Sequence, residues 1–253
     1  MTPTRPRALV TGGARRVGAA ICRELARAGC DIALTYRESA DEARMLADEL
    51  RSLGVSCEAH RLDLSDPAAC ARWAADRAPS WGRLDVLVHN ASMYTPGPLG
   101  EITEADALAH YRVNVLSPLL LTQTLAPLLT NSAELPGASP AVIALCDMHA
   151  MGRPRRNFAA YALSKAALVE MVRVLTRELA PKVRVNGVAP GVVAFPESGL
   201  ESDPEMQRRY LARVPLGRSG TPDDAAGAVR WLALEARYVT GEIVRVDGGR
   251  WLA

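Results

Sequence analysis

The chain has 253 residues, of which 49% are hydrophobic and 23% charged, and its formal net charge is +2. This length and composition predict one globular domain over residues 1–253 with an ample core. The small net charge disfavours a nucleic-acid-binding protein, and no apolar run approaches the length that crosses a bilayer. Residues 1–7 lack the apolar core of a signal peptide, so we expect a cytoplasmic protein with no membrane or nucleic-acid partner.

The cysteine and lysine content narrows the chemistry further. The five cysteines are odd in number and have no C-x-x-C spacing, which disfavours both a disulfide framework and a zinc site, so no metal is expected. Basic residues are nearly all arginine, and the only lysines are Lys165 and Lys182. An amine has a proton that its surroundings can tune, whereas a guanidinium stays charged.

The first strand and the first helix are joined by a glycine turn. A short apolar strand at residues 8–10 runs into Thr11-Gly12-Gly13-Ala14-Arg15-Arg16-Val17-Gly18, and helical periodicity begins at Ala19. Such a turn lets the backbone approach a diphosphate, which the helix N-terminus stabilises. We therefore predict a dinucleotide site that includes Gly12, Arg15, Arg16, Val17 and Gly18.

The second strand, at residues 31–36, indicates which dinucleotide is bound. It ends at Tyr36-Arg37-Glu38, where an acid would select a free ribose 2′-hydroxyl and an arginine suits a 2′-phosphate. Arg16 in the first turn is a second arginine for that phosphate. The pattern favours NADP over NAD, with Tyr36 and Arg37 in the site and Glu38 pointing away.

Small and polar residues collect after the later strands as well. Asp63-Leu64 follow a strand at residues 55–62, and Asn90-Ala91 follow a strand at residues 84–88. Pro190, Gly191 and Val193 follow a strand at residues 183–188. Ligands of open α/β sheets bind beyond the carboxyl ends of the strands, so we predict that these residues bind the cofactor.

Tyr161 and Lys165 carry the clearest sign of catalysis. They lie four residues apart on one face of a helix predicted at residues 158–179. A neighbouring ammonium lowers the pKa of a phenol, which would make Tyr161 a usable acid or base. Asp147 ends the strand at residues 142–146 and is expected in the same crevice.

Two further features remain open at this point. Asn114 lies among apolar residues of a helix predicted at residues 103–129, as either a satisfied core amide or a holder of water or backbone near the site. Residues 192–215 interrupt the regular alternation, either as a loop that covers the substrate or as a tolerated surface insertion.

Strands and helices alternate through the chain, which predicts an α/β fold: a Rossmann-like, doubly wound parallel sheet with helices on both faces. Its motifs together resemble the short-chain dehydrogenase/reductase family: Thr11, Gly12 and Gly18, Asp63, Asn90-Ala91, Asn114, Tyr161 and Lys165, Pro190-Gly191 and Asp247-Gly248-Gly249. The resemblance implies that Asn114 joins a proton relay with Lys165, and that Lys165 also holds the nicotinamide ribose. The long apolar helix and the tail Trp251-Leu252-Ala253 predict a homo-oligomer, and the resemblance implies that it is a homotetramer.

The chain departs from the family pattern at two positions, and at both it resembles the pteridine reductases and dihydromonapterin reductases. Arg16 stands where a glycine is usual, and Asp147 stands where a serine is usual, with a slightly longer spacing to Tyr161. The segments Asn90-Ala91-Ser92 and Val239-Thr240-Gly241 share this likeness, and Tyr94 has the place of an aromatic residue that lies on the pterin. The resemblance implies that the substrate is bound by Arg16, Ser92, Tyr94, Asp147 and Tyr161.

The expected function is therefore an NADPH-dependent pterin reductase. It would reduce a dihydropterin or dihydrofolate to the tetrahydro form by hydride transfer, with Tyr161, Lys165, Asp147 and Asn114 as the catalytic residues. A carbonyl reductase of the same family, such as one acting on 3-oxoacyl thioesters, is the alternative. A catalytically silent dinucleotide-binding regulator is a third, although such a protein should have lost Tyr161 or Lys165.

Overall fold

A computed structural model describes residues 5–193, 195 and 202–253 of the chain. Seven parallel strands form one sheet in the order β3-β2-β1-β4-β5-β6-β7. The strands are β1 (Arg7–Val10), β2 (Asp31–Tyr36), β3 (Cys57–Arg61), β4 (Val86–His89), β5 (Ala141–Leu145), β6 (Arg184–Pro190) and β7 (Ile243–Val246). The strand order reverses between β1 and β4, so a crevice opens beyond their carboxyl ends.

Helices cover both faces of this sheet. They are α1 (Arg16–Arg27), α2 (Ala40–Ser52), α3 (Pro67–Trp81), α4 (Glu104–Tyr111), α5 (Ser117–Ser132), α6 (Ala159–Leu179), α7 (Pro204–Leu211) and α8 (Pro222–Leu234). The predicted fold class, a doubly wound parallel sheet, is confirmed, and the predicted strand ends differ from those observed by about two residues at most.

Two hydrophobic clusters form the core, one on each face of the sheet. One includes Leu25, Leu34 and Val229, from α1, β2 and α8, and the other includes Leu87 and Leu125, from β4 and α5. Parallel strands are buried on both faces, which explains why β1, β4 and β5 are almost wholly apolar. The short strands are thereby held rigidly, with their carboxyl ends at one edge.

The helix predicted at residues 103–129 is interrupted. It consists of α4, a π-helical turn at Arg112–Leu116, and α5. A capping box between Thr103 and Asp106 begins α4. The π-helical turn contains Asn114, and single π-turns inside α-helices often occur at functional sites.

This compound helix, Glu104–Ser132, is long and apolar enough to cross a membrane by length and composition alone. The expectation that no apolar run approaches that length is therefore wrong by this measure. Its buried residues include Leu121, Leu125 and Leu129, and α5 packs against α3 and α6. The segment is a core helix of the α/β fold.

The loop predicted at residues 192–215 lies partly outside the described residues, since 194 and 196–201 are not described. Its second half is helical rather than irregular, because it contains α7. Asp203 caps that helix by accepting hydrogen bonds from the backbone N–H groups of Glu205 and Met206, and Pro204 occupies the first helical position.

Candidate active site

The glycine turn between β1 and α1 is tightly packed. Gly12 has φ = +62°, and a Cβ there would lie 3.0 Å from the Ala91 backbone. A Cβ on Gly18 would clash with the Gly12 carbonyl oxygen and lie 2.7 Å from Asn90 Nδ2. Asn90 Nδ2 donates to the carbonyl oxygens of Thr11 and Gly12, both at 3.0 Å. Asn90 thus fixes the turn against the end of β4.

This turn fits the diphosphate of a dinucleotide. Helix α1 begins at Arg16, and the Arg15 side chain makes no capping hydrogen bond to it, so the positive end of the helix dipole adjoins the turn. Gly12 lines a cavity of about 720 Å³, and Arg16 and Val17 line a second one of about 330 Å³. A dinucleotide has two halves of different chemistry, and the turn offers one cavity to each.

The larger cavity has the residues predicted for the adenosine half. Its lining includes Gly12, Arg15, Tyr36, Arg37, Asp63, Leu64 and Ala91. Glu38 was predicted to point away from this site, but it forms an ion pair with Arg37 at 3.0 Å. Glu42 forms a second ion pair, with Arg15 at 3.6 Å. Both pairs are exposed neighbours of opposite charge, and such pairs are weak.

Arg16 lies on the other side of the turn from the adenosine cavity. Its backbone has φ = +52°, a left-handed conformation that explains why a glycine is usual at this position. Arg16 lines the smaller cavity with Val17, and Arg15 lines the larger one with Arg37. Arg15 is thus the arginine that lies with Arg37 in the larger cavity, and the role of Arg16 toward a 2′-phosphate stays a prediction.

The smaller cavity brings together three of the four predicted catalytic residues, Asp147, Tyr161 and Lys165. Its lining includes Asn90, Ser92, Tyr94, Asp147, Tyr161, Lys165, Pro190, Gly191 and Val193. Tyr161 Oη donates to Asp147 Oδ2 at 2.6 Å, and the backbone N–H of His149 donates to Asp147 Oδ1 at 2.7 Å. Asp147 thus reaches the catalytic tyrosine despite the longer spacing in the sequence, and both of its oxygens act as acceptors.

Tyr161 is held in its protonated form. Burial raises its pKa well above the ordinary value, and the charge and hydrogen bond of Asp147 raise it further. The expectation that Lys165 lowers this pKa is therefore wrong in its net direction. The ammonium lies 6.0 Å from the centroid of the phenol ring, whereas the carboxylate touches the hydroxyl.

Lys165 is buried behind the tyrosine. Its Nζ donates to the carbonyl oxygen of Leu145, at the end of β5, at 2.6 Å. Burial lowers the pKa of this ammonium, and the neighbouring Cys146 and Asp147 act in the opposite direction. A lysine with a lowered pKa can pass a proton more readily than a solvated one.

Asn114 has a structural role in this site. Its Oδ1 accepts from the Met93 backbone N–H at 2.8 Å and from Ser92 Oγ at 3.1 Å. Its Nδ2 donates to the Met93 carbonyl at 3.1 Å and to Ser164 Oγ at 2.9 Å. Asn114 therefore joins the loop after β4 to α6, next to Lys165, and its role in a proton relay remains an expectation.

An aromatic cluster forms one wall of the catalytic cavity. The Tyr94 ring stacks on Phe158 with a centroid distance of 4.9 Å, and meets Tyr161 edge to face at 4.8 Å. Phe158 thus already covers one face of Tyr94. His110 is buried near the Tyr161 ring, at a centroid distance of 6.5 Å.

Several residues of the site were not predicted from the sequence. The Met93 backbone and the Ser164 hydroxyl bond Asn114, and the Phe158 ring stacks on Tyr94. No sequence pattern marks a backbone partner, a serine inside a helix or a residue at the start of a helix. Arg155 also lines the catalytic cavity. The only sequence feature that set Arg155 apart was its place in an arginine-rich segment, residues 152–156.

Comparisons with known proteins found relatives that match nearly the whole chain. Residues 12–250 match a family model described as enoyl-(acyl carrier protein) reductase. An uncharacterized oxidoreductase of Methylorubrum extorquens is 35% identical over 247 residues, which cover 96% of each chain. The 3-oxoacyl-[acyl-carrier-protein] reductase of Staphylococcus aureus is 30% identical over 248 residues, or 97% of this chain and 98% of that protein.

A solved structure was similar over nearly the full length. The blue fluorescent protein from a metagenomic library, crystallised in complex with NADPH, is 36% identical and superimposes with a TM-score of 0.85. The match covers 97% of this chain and 97% of that one. The cofactor named for that structure is the one that the sequence predicts here.

Proposed function

Because the chain belongs to the short-chain dehydrogenase/reductase family and is an NAD(P)-dependent oxidoreductase of it, we propose that it reduces a C=N bond of a dihydropterin or dihydrofolate to the tetrahydro form, with NADPH. The observation that carries the proposal is the hydrogen bond of 2.6 Å from the Tyr161 hydroxyl to the Asp147 carboxylate. This contact places a carboxylate, rather than a hydroxyl, beside the catalytic phenol.

NADPH, when bound, supplies the hydride. Arg15 and Arg37 support a 2′-phosphate at the adenosine end, where both line the cavity. The turn from Gly12 to Gly18 and the first N–H groups of α1 fit the diphosphate. Lys165, Asn90 and residues 190–193 line the cavity assigned to the nicotinamide half.

The protonated state of Tyr161 favours reduction over oxidation. Reduction of a C=N bond adds a hydride to carbon and a proton to nitrogen, so the site must hold an acid. A phenol whose pKa is raised keeps its proton at neutral pH and can donate it. The oxidation of an alcohol needs the opposite, a phenolate that removes a proton.

Asp147 favours a nitrogen substrate over a ketone. A ketone oxygen becomes negative as it receives hydride, and a carboxylate nearby opposes that charge. The amino-pyrimidine edge of a pterin instead offers N–H donors to a carboxylate. On binding, such an N–H group would donate a hydrogen bond to Asp147, and the Tyr161 hydroxyl would turn to the ring nitrogen that gains the proton.

Three further residues would position the ring. Tyr94 meets Tyr161 edge to face and would contact the pterin, although Phe158 limits this contact to one side of the Tyr94 ring. Ser92 is held by Asn114 at the cavity edge. Arg16 lines the same cavity and would contact the substrate next to the nicotinamide.

Reduction of a carbonyl is the second candidate. The relative from Staphylococcus aureus is named as a 3-oxoacyl reductase, and a protonated Tyr161 suits the protonation of a developing alkoxide as well. A silent regulator has less support, because Tyr161, Lys165 and Asp147 meet in one cavity.

Steady-state assays with NADPH would separate the two candidates. We expect turnover of dihydrobiopterin, dihydromonapterin or dihydrofolate, and little turnover of a 3-oxoacyl thioester. Asp147→Ser should lower pterin turnover by about 10²-fold or more and gain carbonyl activity. Turnover of the thioester alone would contradict the pterin proposal.

We further propose that this enzyme consists of one domain and works in the cytoplasm. One sheet contains strands from Arg7–Val10 to Ile243–Val246, which supports a single folding unit. The five cysteines are free and buried, in keeping with a reducing compartment.

A further inference from the structure

The loop between Asp147 and α6 places a cation in the catalytic cavity that the proposed reaction does not use. Arg155 lines this cavity, and its Nη1 donates to Tyr94 Oη at 2.7 Å. The centre of its guanidinium lies 4.8 Å from the centroid of the Phe158 ring. A hydrogen bond and a cation–π contact thus hold the Arg155 side chain in one place.

This guanidinium lies one aromatic ring away from the catalytic phenol. The Tyr94 ring contacts Arg155 through its hydroxyl, and its ring meets the Tyr161 ring at 4.8 Å. The charge of Arg155 also lowers the pKa of Tyr161 and of Tyr210, on α7, against the larger effect of burial. Arg155 is therefore close enough to Tyr161, and to Tyr210 on α7, for its charge to affect the pKa of both.

Cations outnumber carboxylates among the described lining residues of this cavity. Among the described lining residues, Arg16, Arg155 and Lys165 are cationic, and Asp147 is the one carboxylate. Lys165 is buried on Leu145, and Arg16 belongs to the glycine turn, so Arg155 is the cation on the wall formed by Tyr94 and Phe158. A planar guanidinium binds carboxylates and phosphates through paired hydrogen bonds.

We propose that Arg155 binds an anionic group, a carboxylate or a phosphate, on the substituent that the reacting ring of the substrate carries. This inference rests on the proposed function, since it assumes a ring held between Asp147 and Tyr94. The preferred substrates are then pterins whose ring substituent carries a carboxylate or a phosphate. The neutral forms of the same pterins become poorer substrates.

Two matched pairs of substrates test the inference. Dihydropteroate and its methyl ester differ only in one carboxylate, and dihydroneopterin monophosphate and dihydroneopterin differ only in the phosphate. We expect the wild-type protein to prefer the anionic member of one pair by about tenfold or more in kcat/KM, mostly through KM. The pair with the larger ratio identifies the anion.

Variants of the same loop provide the control. Arg155→Ala should abolish the preference and Arg155→Lys should keep part of it, because lysine retains the charge without the planar fork. Arg156→Ala removes an equal charge from an exposed neighbour outside the described lining of the cavity, and should keep the preference. The ratio within a pair cancels any general loss of activity caused by the disturbance of Tyr94.

The outcomes for this inference and for the proposed function are distinct. Equal kcat/KM within both pairs, or equal losses of preference in Arg155→Ala and Arg156→Ala, would overturn the role of Arg155 and leave pterin reduction intact. If no pterin is reduced, equilibrium binding of the same pairs to the NADPH complex decides. An Arg155-dependent preference in binding would then support the tail site alone, and its absence would overturn both proposals.

Discussion

The hydrogen bond between Tyr161 and Asp147 governs the proton of the active site. In Asp147→Asn, the charge that helps to raise the pKa of Tyr161 is removed, and the effect of burial remains. An acid loses activity as the pH rises through its pKa. We therefore expect the alkaline limb of the pH profile of kcat/KM to lie at lower pH in Asp147→Asn than in the wild type.

Tyr161→Phe is the control for that measurement. It should lose about 10² to 10⁴ in turnover, since it removes the acid, and should keep the thermal stability of the fold within a few degrees. An alkaline limb that lies at the same pH in the wild type and in Asp147→Asn would show that another group titrates.

Arg15 and Arg37 are expected to set the preference for NADPH. Each can form charge-assisted hydrogen bonds with a 2′-phosphate, of about 1.5–3 kcal/mol at best. We expect Arg15→Ala and Arg37→Ala each to weaken NADPH binding by about tenfold, with little change for NADH, as measured by fluorescence titration. Arg16→Ala, on the other side of the turn, should leave the ratio of the two affinities unchanged. A loss of the ratio in Arg16→Ala and Arg37→Ala, but not in Arg15→Ala, would support the pair of arginines predicted from the sequence.

His89 makes stability depend on pH. It is fully buried at the end of β4, where burial lowers its pKa from 6.5 to about 3. Below pH 6.5 the imidazole takes up a proton in the unfolded chain but not in the folded chain. The free energy of unfolding therefore decreases as the pH is lowered from 6.5 to about 3. From pH 7 to pH 5 this loss is about 2 kcal/mol. Urea unfolding at both pH values should show a smaller loss in His89→Asn than in the wild type, and an equal loss would contradict the prediction.

Single residues show where the sequence was sufficient. The spacing of Tyr161 and Lys165 and the position of Asp147 after β5 predicted that the three would lie in one cavity, because helix and strand periodicity fix which way such residues face. The sides taken by Arg15 and Arg16 were not predictable in this way. They depend on the positive φ of Arg16, which no pattern of side chains reveals.

At the scale of elements, the π-helical turn joins two parts of the site. Asn114 bonds the loop after β4 through Met93, and α6 through Ser164. Asn114→Ala would leave buried donors and acceptors without partners, each at a cost of about 1–3 kcal/mol. We expect a loss of about 2–4 kcal/mol in the free energy of unfolding together with a loss of turnover. Loss of turnover at unchanged stability would instead favour the proton relay.

The same turn shows a limit of sequence periodicity. The apolar pattern of residues 103–129 is nearly the same for an α-helix and for one with a single wider turn, so the break at residues 112–116 was not predicted. Helix α7 was missed for another reason. This helix has only eight residues and is mostly polar, and the pair Asp203-Pro204 was the only sequence feature that indicated a helix start.

At the scale of the whole molecule, α4 and α6 pack together and present an exposed apolar surface. It consists of Leu108 and Tyr111 on α4, and of Leu163 and Val174 on α6. Leu163 and Val174 are eleven residues apart, or about three turns, and therefore lie on one side of α6. These side chains stay largely exposed among the described residues, and such a surface typically marks a contact between proteins.

We expect this surface to form a contact in a homotetramer. Closed homo-oligomers bury one self-complementary patch at each twofold contact, and Leu163 is 72% exposed in the monomer. A charge at its centre would have to be buried without a partner, so Leu163→Asp should dissociate the assembly while the core stays intact. Light scattering at micromolar concentration should give about four times the chain mass of 27.1 kDa for the wild type and a smaller mass for this variant. Met45→Asp, at an equally exposed apolar residue on α2, is the matched control and should keep the mass of the wild type. A wild-type mass of one chain would contradict the tetramer, and dissociation by Met45→Asp alone would move the contact to α2.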